Sequence, residues 1–229
     1  MVSKVAQRSF FLKAAMLVCL FISTVIPTRS HAALITSDFS GTVLSVNSLF
    51  SSTFSVGQTL TGLYAFESTT PPAIGSDSAV ALFNAVTAIN ISFDGYNASS
   101  TEAFIEINSG LNGAPHDLYG VGIVSGLTGP DVDGFSLLAF GSRLDDPTNS
   151  VFTTALALPT SLDFSDFTSS AFFLFFQDPQ TSSSVLALSG ELTDFNVPTV
   201  VQAVPEPCTM ALLGVGFAGA ALARKRRTQ

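Results

Sequence analysis

Hydrophobic and polar residues alternate with a period of two along much of the chain, the pattern of strands that bury one face. In Thr59-Leu60-Thr61-Gly62-Leu63-Tyr64-Ala65-Phe66, one face carries Leu60, Tyr64 and Phe66. Ile89, Ile91 and Phe93 alternate with Asn90 and Ser92, and Asp94-Gly95 follows as a hairpin turn. Ala103, Ile105 and Ile107 alternate with Phe104 and Glu106 before a break at Asn108-Ser109-Gly110. Residues 121–124, 135–140, 171–176 and 185–195 predict further strands, and 42–46 opens the set.

Seven to nine short strands separated by Gly, Pro, Asn and Asp predict an all-β fold, an antiparallel two-sheet β-sandwich of jelly-roll or Ig-like type. The run Phe172-Phe173-Leu174-Phe175-Phe176 is apolar on both faces, which predicts a central strand covered on both sides. Asp166, Asp178 and Pro179 flank it as guards against aggregation. Residues 78–87, with Ser78 as a cap, predict a loop or short helix. Residues 198–204 predict a linker, since Pro198 and Pro205 resist regular structure.

Two apolar segments depart from the alternation. Lys4, Arg8 and Lys13 precede an apolar run over 14–26 and then Ser30-His31-Ala32. This order predicts a secretory signal peptide cut after Ala32, with Ser30 and Ala32 as the small residues at the cutting positions. Cys19 follows Val18 inside the run, which argues against a lipoprotein cut there. Near the other end, residues 210–223 predict a short apolar helix. At about 1.5 Å per residue it spans roughly 21 Å, short of a hydrocarbon core of roughly 30 Å. Such a length suits a temporary stop in the membrane better than a lasting anchor. The basic cluster Arg224, Lys225, Arg226 and Arg227 behind it holds the C-terminus on the cytoplasmic side.

Val204-Pro205-Glu206-Pro207-Cys208-Thr209-Met210-Ala211-Leu212-Leu213-Gly214, followed by that basic terminus, resembles the PEP-CTERM sorting signal of Gram-negative bacteria. The matching parts occur in order: Pro205, Glu206 and Pro207, the apolar stretch, and Arg224 to Arg227. Cys208 stands where Ser is commoner. The resemblance implies export by the Sec machinery, transient residence in the inner membrane and recognition by an exosortase-type membrane protease. It further implies removal of the tail and delivery to the cell surface or exopolysaccharide matrix. A weaker likeness, in Phe39-Ser40-Gly41-Thr42-Val43 and Phe54-Ser55-Val56-Gly57-Gln58-Thr59-Leu60-Thr61-Gly62, is to the opening strands of exported domains of the same family. The chain thus divides into a signal peptide (1–32), a β-sandwich domain (33–197), a linker (198–204) and a sorting signal (205–229).

Removing both ends changes the electrostatics. The formal charge of the whole chain is -8, yet Arg143 is the one basic residue from 33 to 203, against sixteen acidic ones. So acidic a surface keeps an exported protein soluble and excludes nucleic acid as a partner. Neither cysteine lies in the domain, so burial rather than a disulfide must stabilise it. Most of the 21 Phe do lie there and supply a core.

Candidate chemistry is sparse. His116-Asp117 has the composition of a base and its orienting acid, but neighbours on a strand point to opposite faces. No Gly-x-Ser-x-Gly elbow supports a hydrolase. Glu102 and Glu106 share a face, but four residues of strand put them roughly 13 Å apart, beyond the roughly 5–9.5 Å of glycosidase pairs. Phosphoryl chemistry would have only Arg143 to hold a phosphate. Asp131-Val132-Asp133-Gly134 and Asp145-Asp146 place carboxylates in expected loops; Asp131 and Asp133 are weak calcium candidates, with turn formation the plainer reading. For sugar stacking the chain has no Trp, and only Tyr64, Tyr96 and Tyr119, of which Tyr64 is assigned to the core. Asn90-Ile91-Ser92 and Asn97-Ala98-Ser99 are formal glycosylation sequons. The expectation is an exported structural or interaction protein that is not an enzyme and needs no cofactor. The alternative is a lectin-like module that binds exopolysaccharide.

Overall fold

The computed structural model describes residues 33–203, and side chains within 34–196. Among these residues nine strands follow one another: β1 (Ala33–Val46), β2 (Thr59–Glu67), β3 (Val80–Phe93), β4 (Tyr96–Ser100), β5 (Ala103–Asn108), β6 (Asp117–Ile123), β7 (Ser136–Asp146), β8 (Ser169–Gln177) and β9 (Ser184–Ala203). All pairings are antiparallel, in the order β2-β1-β9-β8-β7-β6-β5-β3-β4, with an added β2–β3 pairing. That added pairing closes the sheet. β4 and β5 pair with successive halves of the same edge of β3, Phe93↔Tyr96 to Ile89↔Ser100 and then Val86↔Ala103 to Val80↔Asn108. They therefore act as one strand broken at Thr101-Glu102, and the architecture is an eight-stranded up-and-down barrel.

The expected two-sheet sandwich is corrected by this closure. Both architectures bury one face of each strand, so both write the same alternation into the sequence. They differ in whether β1 meets β9 and β2 meets β3, and these long-range registers have no local signature. Closure requires strongly curved strands, and bulges supply the bends. One lies in β3, where the register shifts between Phe83 and Val86, so that Ala85 and Val86 are both buried. With Ile89 buried three residues on, this bulge imitates helical spacing. Residues 78–87, expected as a loop or short helix with Ser78 as cap, are instead largely strand, since β3 begins at Val80 and pairs with β5. A second bulge lies where Asp38↔Asn196 gives way to Thr36↔Thr199, which seats Pro198 at an irregularity that spares its missing N–H. β9 consequently runs through the expected linker as far as Ala203, opposite Ala33.

The interior is filled by aromatic side chains. Phe39 lies 6.1–6.3 Å from Tyr64, Phe140 and Phe195 by ring centroids. At the end where β1 turns into β2, Phe50 and Phe54 close the barrel against Phe135, Phe176, Phe93 and Tyr96. Each such pair contributes about 0.5–1.5 kcal/mol beyond the burial of its area. Where a ring must lie flat, its cross-strand partner is glycine: Phe39↔Gly62, Phe104↔Gly122 and Phe172↔Gly190. A Cβ on any of these three glycines would collide with the ring of its partner. The expected hairpin at Asp94-Gly95 forms, with φ of 41° and 107°, and Asp133-Gly134 makes a second such turn with φ of 49° and 86°.

β8 does not have the two covered faces its sequence suggested. Phe172, Leu174 and Phe176 are buried inside, whereas Phe173 and Phe175 stand half-buried on the outer wall. Among the described residues no second sheet covers that wall, because the sheet closes on itself.

Candidate functional site

On the outer wall, the strand registers align two rows of residues across β5, β6, β7 and β8. One row runs Phe104↔Gly122↔Gly141↔Phe173, and the next runs Glu106↔Gly120↔Arg143↔Ala171. The glycines leave a trough of about 320 Å³, walled by Phe104, Glu106 and Leu118 on one side and by Arg143 and Phe173 on the other. The Arg143 guanidinium lies 5.9 Å from the centroid of Phe173, within reach of its negative face.

The charged groups converge at one end of this trough. Asp145 accepts from His116 Nε2 at 2.9 Å through Oδ1 and pairs with Arg143 Nε at 3.2 Å through Oδ2. Asp145 is largely buried, while His116 and Arg143 are part-exposed. His116 therefore meets a carboxylate from β7, not that of its neighbour Asp117. The aspartate pair 145–146, expected in a loop, instead ends β7. Its two members face opposite ways, as strand geometry demands.

Asp117 points to the barrel's interior end and accepts from the backbone N–H groups of Gly110, Val151 and Phe152 at 2.7–2.8 Å. It ties two loops to the rim, which is a structural role. Asp146 does similar work in one loop: it accepts from the N–H and hydroxyl of both Thr148 and Ser150. Those bonds, the Ser150 N–H and Thr148 hydroxyl foremost, hold its carboxyl down at about 2.

The other sequence candidates separate in space. Glu106 lines the trough, whereas Glu102 lines a different depression with Asn84, Thr101 and Ser125. Asp131 and Asp133 are exposed, and Asp133 accepts from the Ser52 hydroxyl at 2.6 Å. No group of three or more His, Cys, Asp or Glu side chains suited to a metal occurs among the described residues. The two sequons pair with each other, Asn90↔Ser99 and Ser92↔Asn97, and line a polar depression with Thr61 and Thr128. All three tyrosines are buried, so any aromatic surface on the wall belongs to phenylalanine. Sequence reasoning missed the trough because its parts, Gly120, Gly141, Phe104 and Phe173, meet only through register.

The processing residues Ser30, Ala32, Pro205, Glu206, Pro207 and Arg224 to Arg227, with the apolar stretch 210–223, lie outside the described residues. No helix among the described residues is long and apolar enough to cross a membrane. Residues 203–227 match the family model of the PEP-CTERM protein-sorting motif. The chain carries a PEP-CTERM sorting signal. Among curated proteins and solved structures, none matches it significantly. The PEP-CTERM motif implies export, a membrane-anchored precursor and processing by an exosortase, itself a membrane protein.

Proposed function

We propose that the barrel is a non-catalytic interaction module of the cell surface or extracellular matrix, delivered there by its PEP-CTERM signal. The Sec machinery exports the chain, the short apolar stretch arrests it in the inner membrane, and cutting near Pro205-Glu206-Pro207 releases the barrel. The observation that carries this reading is the packing of the barrel. Aromatic side chains occupy its interior, so partners meet the protein on its outer wall. The separation of Glu102 from Glu106 favours binding over glycoside hydrolysis.

Mass spectrometry of the protein recovered from surface and matrix fractions tests the reading. The expected species starts at Ala33 and ends near the Pro-Glu-Pro motif. An intact chain found in the cytosol overturns it. A lectin-like role is the second reading, and the trough is the observation that favours it.

A further inference from the structure

Gly120 and Gly141 are required neither by backbone conformation nor by a steric clash. Neither takes the left-handed φ that would demand one. A Cβ on Gly141 would meet nothing within 4 Å, and on Gly120 only ordinary contacts at 3.4 Å and beyond. Gly122, between them, is different, because the Phe104 ring lies over it. Glycine in a strand interior marks a bulge, a barrel bend or a close approach by another group; the β6–β7 register runs unbroken across both positions, so no bulge accounts for them. The wall is open above Gly141, while Gly120 lies buried beside it beneath Leu118 and Glu106.

The boundary of that space has the chemistry of a sugar site. Glu106 and Arg143 occupy the same cross-strand row with Gly120 between them, two strand spacings or about 9.6 Å apart at the backbone. They stand as acceptor and donor on the two strands that flank Gly120. Arg143 meets Asp145 through Nε, which leaves its two terminal nitrogens for neighbouring hydroxyls. Phe104 and Phe173 present apolar surface at the ends of the adjacent row, suited to the C–H face of a pyranose. A volume of about 320 Å³ is at the small end for ligand sites and fits one ring better than a chain. Asp145 already pairs with Arg143 and Glu106 adds a second carboxylate, so the trough disfavours an anionic ligand and suits an uncharged one.

We propose that this trough binds a single neutral hexopyranose unit, held by Glu106 and Arg143 over the Gly120–Gly141 floor and packed against Phe104 and Phe173. The proposal rests on the outer-wall interaction reading and gives it a ligand class.

The test is an amide chemical-shift titration of the processed protein with D-glucose, D-galactose and D-mannose, each to hundreds of millimolar, with sodium D-glucuronate as the charged comparison. The expected result is a saturable shift of the Gly120, Gly122 and Gly141 amides with at least one neutral sugar. Gly141→Val should weaken that binding at least tenfold while leaving Tm unchanged or raised. Should the valine variant fail to fold, Gly120→Ala and Glu106→Gln replace it, with the same expected loss. No shift with any of the three sugars overturns the proposal. So does binding retained in the variants, a response to glucuronate alone, or shifts confined to the Asn90–Ser99 depression. None of those outcomes bears on where the protein is delivered, which the mass-spectrometric experiment reads separately.

Discussion

The hydroxyls of Tyr64 and Tyr119 meet at 2.8 Å inside the barrel and join β2 to β6 across its interior. Burial pushes both phenols well above their ordinary range; Tyr96 is raised too, by burial and by the nearby Asp131 carboxylate.

An alkaline titration follows from these shifts. Below pH about 10 the phenols are protonated in both folded and unfolded chains, and they leave stability independent of pH. Above it, the unfolded chain ionises while the folded one does not, so stability falls as pH rises. Tyrosinate absorbance should therefore appear together with unfolding, not before it. Tyr64→Phe or Tyr119→Phe should each cost about 1–2 kcal/mol by leaving the other hydroxyl buried and unpaired, and the double variant should cost less than the sum. Denaturant melts of the four proteins check this.

The ring-covered glycines separate two kinds of glycine in one barrel. Gly62→Ala and Gly190→Ala force Phe39 and Phe172 off their partners and should cost about 1–3 kcal/mol each. Gly141→Val, in open space, should cost nothing. Thermal melts of the three variants decide the matter.

Asp117→Ala strands three backbone N–H groups in a buried place. The expected loss is about 3 kcal/mol or more. Amide exchange should accelerate first in the loops around Gly110 and Phe152. Equal protection in the variant would contradict this role.

Asp146 predicts an acid limit. Its carboxyl sits at about 2 in the folded protein, below the roughly 3.9 of an unfolded aspartate. Its contribution is thus complete above pH about 4 and disappears as pH falls towards 2. Asp146→Asn should lower Tm at neutral pH and flatten the Tm profile over that acid interval.

Deleting Arg224 to Gln229 removes the basic end of the sorting signal. Without a positive flank to hold the stop in place, the protein should remain unprocessed or accumulate in the periplasm. Fractionation and immunoblotting give the answer, and unchanged surface delivery would contradict it.

The strands were largely legible because alternation is local. Leu60, Tyr64 and Phe66 do share the interior face, as do Ile105 and Ile107. The hairpin at Asp94-Gly95 was legible for the same reason, since two adjacent residues carry its whole signal. The ends of β7 and β9 were not: Asp145 and Asp146 read as loop residues, and Pro198 as a breaker. Register partners and a bulge make each acceptable within a strand. The trough was invisible, since a glycine in a strand has one spelling whether a ring covers it or nothing does.

By itself, the sequence determined the strand-rich class, the acidic domain with its single arginine, and the terminal sorting motif. These are properties of neighbouring residues or of simple counts, so a linear reading recovers them. Only the tertiary structure decided that the sheet closes on itself and fills its lumen with phenylalanine. It alone sets His116 beside Asp145, and Glu106 opposite Arg143. The physical reason is that strand registers are settled by pairings between distant segments. A shift of one residue reverses every side chain, and no local pattern records which partner won.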